Sequence, residues 1–241
     1  MRATTTAAAA LAANAAWALP ALAPLAPPLA ARLRIPLRSA REGTVALTFD
    51  DGPHPQGTPA VLEALAAAGA TATFFLVGEQ VRRTGSLAQE IAAAGHAVAL
   101  HCDRHRNLLR LPRPAIDLDL DRAAEAIHAA TGRVPELHRA PYGIYSWPAL
   151  RAVRARGWTP TLWSRWGRDW RGDATPASIA RLAADGVASR DVILLHDADD
   201  YGDPGSWRNT AAALPRILEA IAAAGLGTVG IASARDLAQG R

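Results

Sequence analysis

Two histidines four residues apart, His101 and His105, are spaced to present their imidazoles from one side of a single turn. An earlier pair of adjacent aspartates, Asp50-Asp51, could add a carboxylate. Two imidazoles and one carboxylate make a three-ligand site for a divalent metal and leave a coordination position open to water. A metal so held polarises a carbonyl and lowers the pKa of its bound water from 15.7 toward roughly 7. A second carboxylate beside the liganding one can take the proton from that water as general base. A lone His pair at this spacing also occurs without a metal, so the argument depends on what falls near it. The chain offers Arg139, Asp169 and His196 as further candidates.

The elements that must position these groups are short β-rich runs alternating with Ala- and Leu-rich helical stretches, punctuated by Gly and Pro. Strands are predicted over 45–49, 71–77, 96–100, 137–139, 158–163, 191–195 and 226–231. Helices are predicted from Thr58-Pro59 to Ala68, and over 86–94, 117–130, 148–156, 175–185 and 210–224. Thr58 is the expected N-cap and Pro59 the first helical residue, with Gly69 beyond the C-terminus. Seven strands alternating with helices imply parallel pairing under helical cover, in either an open doubly wound sheet or a (β/α) barrel. The first strand is not followed by a Gly-rich nucleotide fingerprint, which argues against a dinucleotide fold. Instead Asp50-Asp51 end the first strand, His101 and His105 follow the third, Arg139 lies at the fourth, Asp169 follows the fifth and His196 the sixth. In a barrel those ends share one face, the face where barrel enzymes keep their active sites.

Five stretches in this order carry a resemblance. Thr48-Phe49-Asp50-Asp51-Gly52-Pro53 resembles the first motif of the polysaccharide deacetylases, the NodB-homology group of carbohydrate esterases. His101 to His105 with Asn107-Leu108 resembles the second, and Arg139-Ala140-Pro141-Tyr142-Gly143 the third. Asp169-Trp170 is similar to the fourth and Ile193-Leu194-Leu195-His196 to the fifth. The resemblance covers about residues 42–237. It implies an α/β fold, a distorted (β/α) barrel with about seven parallel strands, and metal-dependent removal of acetyl groups from N-acetylated sugars.

Carried residue by residue, the resemblance makes Asp50 the general base and Asp51, His101 and His105 the ligands of a divalent metal, usually Zn2+. Arg139 would pair with Asp50 and keep it ionised. His196 would be the general acid that protonates the leaving amine, with Asp169 fixing its protonation. The backbone N–H of Tyr142 would help stabilise the oxyanion, and Trp170 and Leu194 would wall a pocket for the acetyl methyl. Three positions depart from the family pattern. Cys102 stands where a Ser or Thr is usual, His138 where an aromatic is usual, and Ala140 where Pro is common. Cys102 is read as a small buried residue, with joining the metal site as the alternative.

The remaining candidates have plainer readings. His54 is a loop residue near enough to the site to touch substrate, His96 a core histidine, and His128 a solvated one. Asp197, Asp199, Asp200 and Asp203 form an acidic loop expected to be solvated. Trp163, Trp166, Trp170 and Trp207 fall in loops on the active face, and Trp166 or Trp207 is a candidate for stacking on a sugar ring.

Composition bounds these readings. About a quarter of the 241 residues are Ala, and all 26 cationic side chains are Arg. Half the residues are apolar, which excludes a disordered chain, and the single cysteine excludes an internal disulfide. The +4 charge is spread without a basic run and does not mark a nucleic-acid surface. Residues 1–41 form an Ala- and Pro-rich segment, uncharged from residue 3 to 31, that reads as a signal peptide, a membrane tether or a disordered tail ahead of a catalytic domain at 42–237. Four arginines follow it closely, which by the positive-inside rule would favour a cytoplasmic catalytic part. The expected substrate, a peptidoglycan or chitin-like polymer of N-acetylglucosamine, favours the cell envelope. Two other readings fit the same residues: an amidase or esterase on a small non-carbohydrate substrate, and a catalytically silent glycan-binding protein.

Overall fold

Ala72–Val77 is apolar but for Thr73, and Thr44–Asp50 alternates apolar residues with Thr48 and Asp50; both are buried almost throughout, as strands of a parallel sheet covered on both faces are. The computed structural model describes residues 17–238 of the chain. Its strands are β1 (Thr44–Asp50), β2 (Ala72–Val77), β3 (Ala97–Cys102), β4 (Leu137–His138), β5 (Thr159–Pro160), β6 (Arg165–Trp166), β7 (Val192–His196) and β8 (Gly227–Thr228). Seven of them pair in the order β5-β4-β3-β2-β1-β7-β6, all parallel, curled into a half-barrel. Strand β8 pairs with the first two residues of β1.

The helices are α1 (Pro27–Arg32), α2 (Gly57–Ala67), α3 (Gly78–Arg83), α4 (Leu87–Ala93), α5 (Arg113–Thr131), α6 (Trp147–Ala155), α7 (Pro176–Ala184) and α8 (Ser206–Ala223). They cover the outside of the sheet, with α7 against α8, α2 against α8, and α3 and α6 against α5. Inside, Phe49 and Phe74 from neighbouring strands stack at 5.1 Å, and Leu47, Leu76, Ile91 and Leu100 are fully buried around them.

Residues 19–39 lie against this domain. A 3₁₀ turn (Leu19–Leu25) and α1 bury Ala23 and Ala30, and Ile35 and Leu33 follow them into the core. Beyond α1 the chain runs past the open side of the half-barrel, where Pro36 O accepts from Leu162 N–H and from Thr161 Oγ1. Arg38 and Ser39 make antiparallel bridges to Asp191 and Leu237. Residues 1–16 of the expected leader lie outside the described residues. Among the described residues no helix is long and apolar enough to cross a membrane.

The structure corrects several local expectations. Of the strand expected over 158–163 only Thr159–Pro160 forms, as β5, and an unexpected strand, β6, follows at the opposite end of the sheet, because Leu162 N–H turns to Pro36 while Ser164 N–H turns to Val192. Helix α3 has no apolar periodicity and escapes a pattern reading; its Val81 alone is a buried aliphatic anchor. Thr58 is not the N-cap of α2, since the helix begins at Gly57 and the Thr58 hydroxyl is committed to Asp197. The Thr175-Pro176 start is as expected, with a capping box between Thr175 and Ser178.

Candidate active site

The period-two alternation of β1 puts Thr48 and Asp50 on one face, and Arg139, just past β4, reaches both. Its Nη1 lies 2.7 Å from Asp50 Oδ1 and 2.9 Å from Thr48 Oγ1, and Nη2 donates to Leu162 O at 3.2 Å. The guanidinium is fully buried and sits 4.0 Å over the Phe75 ring. After Asp50 the chain turns through Asp51 at φ +79°, a left-handed conformation costly for a residue with a Cβ. The turn sends the Asp51 carboxylate away from its neighbour's partner and toward the histidines. Gly52 must follow, because a Cβ there would collide with the Asp197 carboxylate.

His101, the fifth residue of β3, and His105, in the loop after it, both aim Nε2 at Asp51 Oδ1, each at 3.3 Å. That oxygen is buried and has no hydrogen-bond partner. The three ligand atoms lie within 4.8 Å of one another. An orphaned carboxylate oxygen facing two imidazole nitrogens is a donor set that fits a divalent cation. Burial would raise Asp51, but the His101 contact and the imidazole charges of His196, His105 and His101 bring it down to about 2. Burial pushes His105 down to about 4, against the pull of Asp51, so protons compete weakly for its nitrogen near neutrality. His101 Nδ1 lies 2.8 Å from Arg139 O, which fixes the ring. Cys102 is buried outside this ligand group, and burial together with Asp119, Asp51, Glu79 and Asp103 holds its thiol well above the usual range.

His196, the last residue of β7, faces the trio with Nε2 4.0 Å from Asp51 Oδ2. Asp169 lies behind it, with Oδ1 2.9 Å from His196 Nδ1 and Oδ2 accepting from His196 N–H at 2.7 Å and from Thr210 Oγ1 at 2.8 Å. Burial alone would lower His196; the Asp169 charge and hydrogen bond, with Asp51 and Asp50 beyond, raise it to about 9.

These groups open on a cleft of about 200 Å³. Tyr142 enters it from a turn with φ +61°. That turn is closed by Gly143 N–H to Ala140 O and Ile144 N–H to Pro141 O, and the Tyr142 N–H has no partner among the described residues. Leu194, Trp163, Trp166 and Trp170 form the apolar wall, the three indoles in a continuous series with neighbouring centroids 5.8 and 5.6 Å apart.

A family model described as polysaccharide deacetylase matches residues 38–161. A chitooligosaccharide deacetylase from Azorhizobium caulinodans is 32% identical over 191 residues, which cover 76% of this chain and 90% of that relative. This chain belongs to the polysaccharide deacetylase family. With that membership goes the enzyme class, carbohydrate N-deacetylase. A peptidoglycan-N-acetylglucosamine deacetylase from Bacillus cereus is also 32% identical, over 73% of this chain and 81% of the relative. Among solved structures, a family 4 carbohydrate esterase from Streptomyces lividans in complex with acetate aligns with a TM-score of 0.73 at 32% identity, over 81% of this chain and 96% of that one.

Of the candidates in this deacetylase, Asp50, Asp51, His101, His105, Tyr142, Trp170, Leu194 and His196 line the cleft, and Arg139 and Asp169 stand directly behind it. Trp166 lines it too, whereas Trp207 packs by His54, 5.9 Å between ring centroids, and neither of these reaches the cleft. His54 is buried with Nδ1 accepting from Gly57 N–H at 2.9 Å and Nε2 3.1 Å from Asp199. His96 is a core histidine as expected, and His128 is exposed. The acidic loop is not simply solvated: Asp197 is fully buried, and Asp200 pairs with Arg83 at 2.7 Å. At the third motif, burial pushes His138 down to about 3, and its Nδ1 meets the Tyr145 hydroxyl at 3.0 Å.

Two supporting residues escaped sequence reasoning. Asp119 is buried in the middle of α5, and its carboxylate accepts from Asp103 N–H at 2.7 Å and from Arg106 Nη2 at 2.6 Å, gripping the loop between the two histidines. The available signal was a carboxylate on the apolar stripe Ile116, Leu120, Ala123, Ile127. Tyr201 also lines the cleft, from within the loop read only as acidic.

Proposed function

We propose that this chain is a zinc-dependent N-deacetylase of an N-acetylglucosamine polymer, a peptidoglycan or chitin-like glycan. The observation that carries the reading is the convergence on one small cleft of an Asp-His-His ligand set, an Arg-held carboxylate and an Asp-held imidazole. The relatives act on chitooligosaccharide and on peptidoglycan N-acetylglucosamine, which supports an N-acetylglucosamine substrate.

Asp51, His101 and His105 would hold the cation, which when bound supplies Lewis-acid polarisation of the acetyl carbonyl and acidifies a coordinated water. Asp50 accepts the proton of the attacking water on the carboxylate that Arg139 aligns from 2.7 Å. The free Tyr142 N–H donates to the carbonyl oxygen as negative charge grows on it, without reorganisation during the step. His196, charged through Asp169, gives its proton to the departing amine, so the amide C–N bond breaks to acetate and a free amino sugar. Base and acid thus sit in separate environments, Asp50 beside a guanidinium and His196 beside a buried carboxylate that raises it to about 9. Trp170 and Leu194 enclose the acetyl methyl and exclude bulk water, and Trp166 offers a face to the sugar ring.

A wall polymer as substrate places the enzyme in the cell envelope, secreted or tethered through its N-terminal segment. Cell fractionation tests that location, and recovery of the full-length protein in the cytosol alone would refute it. For the activity, the test is acetate release from chitooligosaccharides and from peptidoglycan by protein of measured metal content. Zinc-dependent release from either supports the reading; hydrolysis of small amides or esters alone, or glycan binding without acetate release, would replace it.

A further inference from the structure

The two histidines of the ligand trio are held in different ways. His101 has an outer nitrogen within 2.8 Å of Arg139 O. His105 has none: its Nδ1 is buried without a hydrogen-bond partner. A ligating imidazole ordinarily gives its outer N–H to an acceptor that fixes the ring's orientation and tautomer. Something else must hold His105 so that Nε2 stays 3.3 Å from Asp51 Oδ1.

We propose that Tyr201 is the positioning residue for His105, taking by ring stacking the place of the missing outer hydrogen bond; the proposal rests on reading Asp51, His101 and His105 as a metal site. The Tyr201 ring lies face to face with the imidazole, 4.4 Å between centroids at 14°. Tyr142 meets the same imidazole edge-on at 4.5 Å and 73°. Two rings set so differently leave the imidazole one plane, and turning it about its own axis would drive it into one of them. Tyr142 is 56% exposed on a turn, so the fixed member of the pair is Tyr201.

Its fixation is visible in the bonds around it. The phenol donates to Glu79 Oε1 at 2.7 Å and accepts from Gln80 Nε2 at 3.0 Å, both in the first turn of α3. Glu79 N–H in turn donates to Asp103 O at 3.1 Å, inside the loop that carries His105. The loop bearing Tyr201 is pinned on either side of it, by Asp199 accepting from Gly205 N–H at 2.5 Å and by Asp200 on Arg83. A hydroxyl tied at both its donor and its acceptor side thus holds the ring over His105.

The test is zinc affinity, measured by chelator competition on full-length protein, together with the visible spectrum of the cobalt-substituted form. Tyr201→Ala and Tyr201→Leu remove the flat face, and each is expected to weaken zinc about 10- to 100-fold, the range for outer-sphere partners of a ligating histidine, and to shift the cobalt bands. Tyr201→Phe keeps the flat face but loses the two hydroxyl bonds that tether it, and is expected to bind zinc more tightly than Tyr201→Leu and more weakly than the parent. Melting of the metal-free proteins checks that all three are folded. Parental zinc affinity and an unchanged cobalt spectrum in both Ala and Leu variants would overturn the proposal, as would a Phe variant as weak as Leu. A parent protein that binds no zinc would overturn the reading of the trio itself, a result distinct from either.

Discussion

Asp169 grips His196 at two points, the backbone N–H at 2.7 Å and the imidazole Nδ1 at 2.9 Å, while its own carboxylate is fully buried. One group therefore sets both the place of the ring and its charge. Against the lowering effect of burial, this contact raises His196 to about 9. A general acid must be protonated to act, so acetate release should fall as pH rises through about 9. Asp169→Asn removes the charge and should move that alkaline limb at least one unit lower, since Coulombic attraction by Asp169 is the leading raising cause. A pH–rate profile with the limb unmoved would contradict the assignment.

Metal retention follows from the same electrostatics. With His105 held at about 4 and Asp51 at about 2, protons do not displace a cation from them near neutrality. His101→Ala removes one of three ligands and should lose more affinity than the roughly 10- to 100-fold typical of outer-sphere changes. Equilibrium dialysis against zinc, with circular dichroism to confirm the fold, measures it directly.

Arg139 and Asp50 form a pair in which neither side chain is more than 4% exposed. Removing one partner strands a buried charge, and Arg139→Met should cost about 3–5 kcal/mol in urea unfolding. Asp50→Leu combined with Arg139→Met should recover part of that loss. Additive losses in the double variant would show that the two do not act as a pair.

Burial pushes Asp197 up to about 7, against the hydrogen bond from Thr58. Between 3.8 and about 7 the folded protein keeps a proton here that the unfolded chain has released. The contribution of this group to stability therefore falls as pH rises through that window. Asp197→Asn, uncharged and of the same shape, should flatten the stability profile between pH 4 and 7; an identical slope in variant and parent would count against it.

The sequence made the candidate catalytic groups legible because they stand at the ends of strands, where an Ala-rich chain has no packing reason to place Asp, His or Arg. Asp50, His101, Arg139 and His196 could be read that way, and the curl of the sheet does bring them to one cleft. Residues whose role depends on distant partners were hidden. Asp119 bonds a loop 15 residues upstream, leaving only the mark of a carboxylate on an apolar stripe, and Tyr201 stacks on His105 from nearly 100 residues away with no local pattern to show it. The split of residues 158–166 into two strands was hidden for the same reason, since Pro36 and Val192 supply the partners. The Asp203 carboxylate and Gly172 N–H form another such tie, in the loop that a charge count alone describes as solvated.

In the proposed mechanism Asp50 takes the proton of the attacking water while Asp51, His101 and His105 hold the metal. Asp50→Asn tests it most directly, with acetate release from chitooligosaccharide and zinc content determined on the same sample. The expected result is full zinc content with turnover lowered about 10²- to 10⁴-fold, the usual effect of a lost general base. Parental turnover in the zinc-loaded variant would contradict the account.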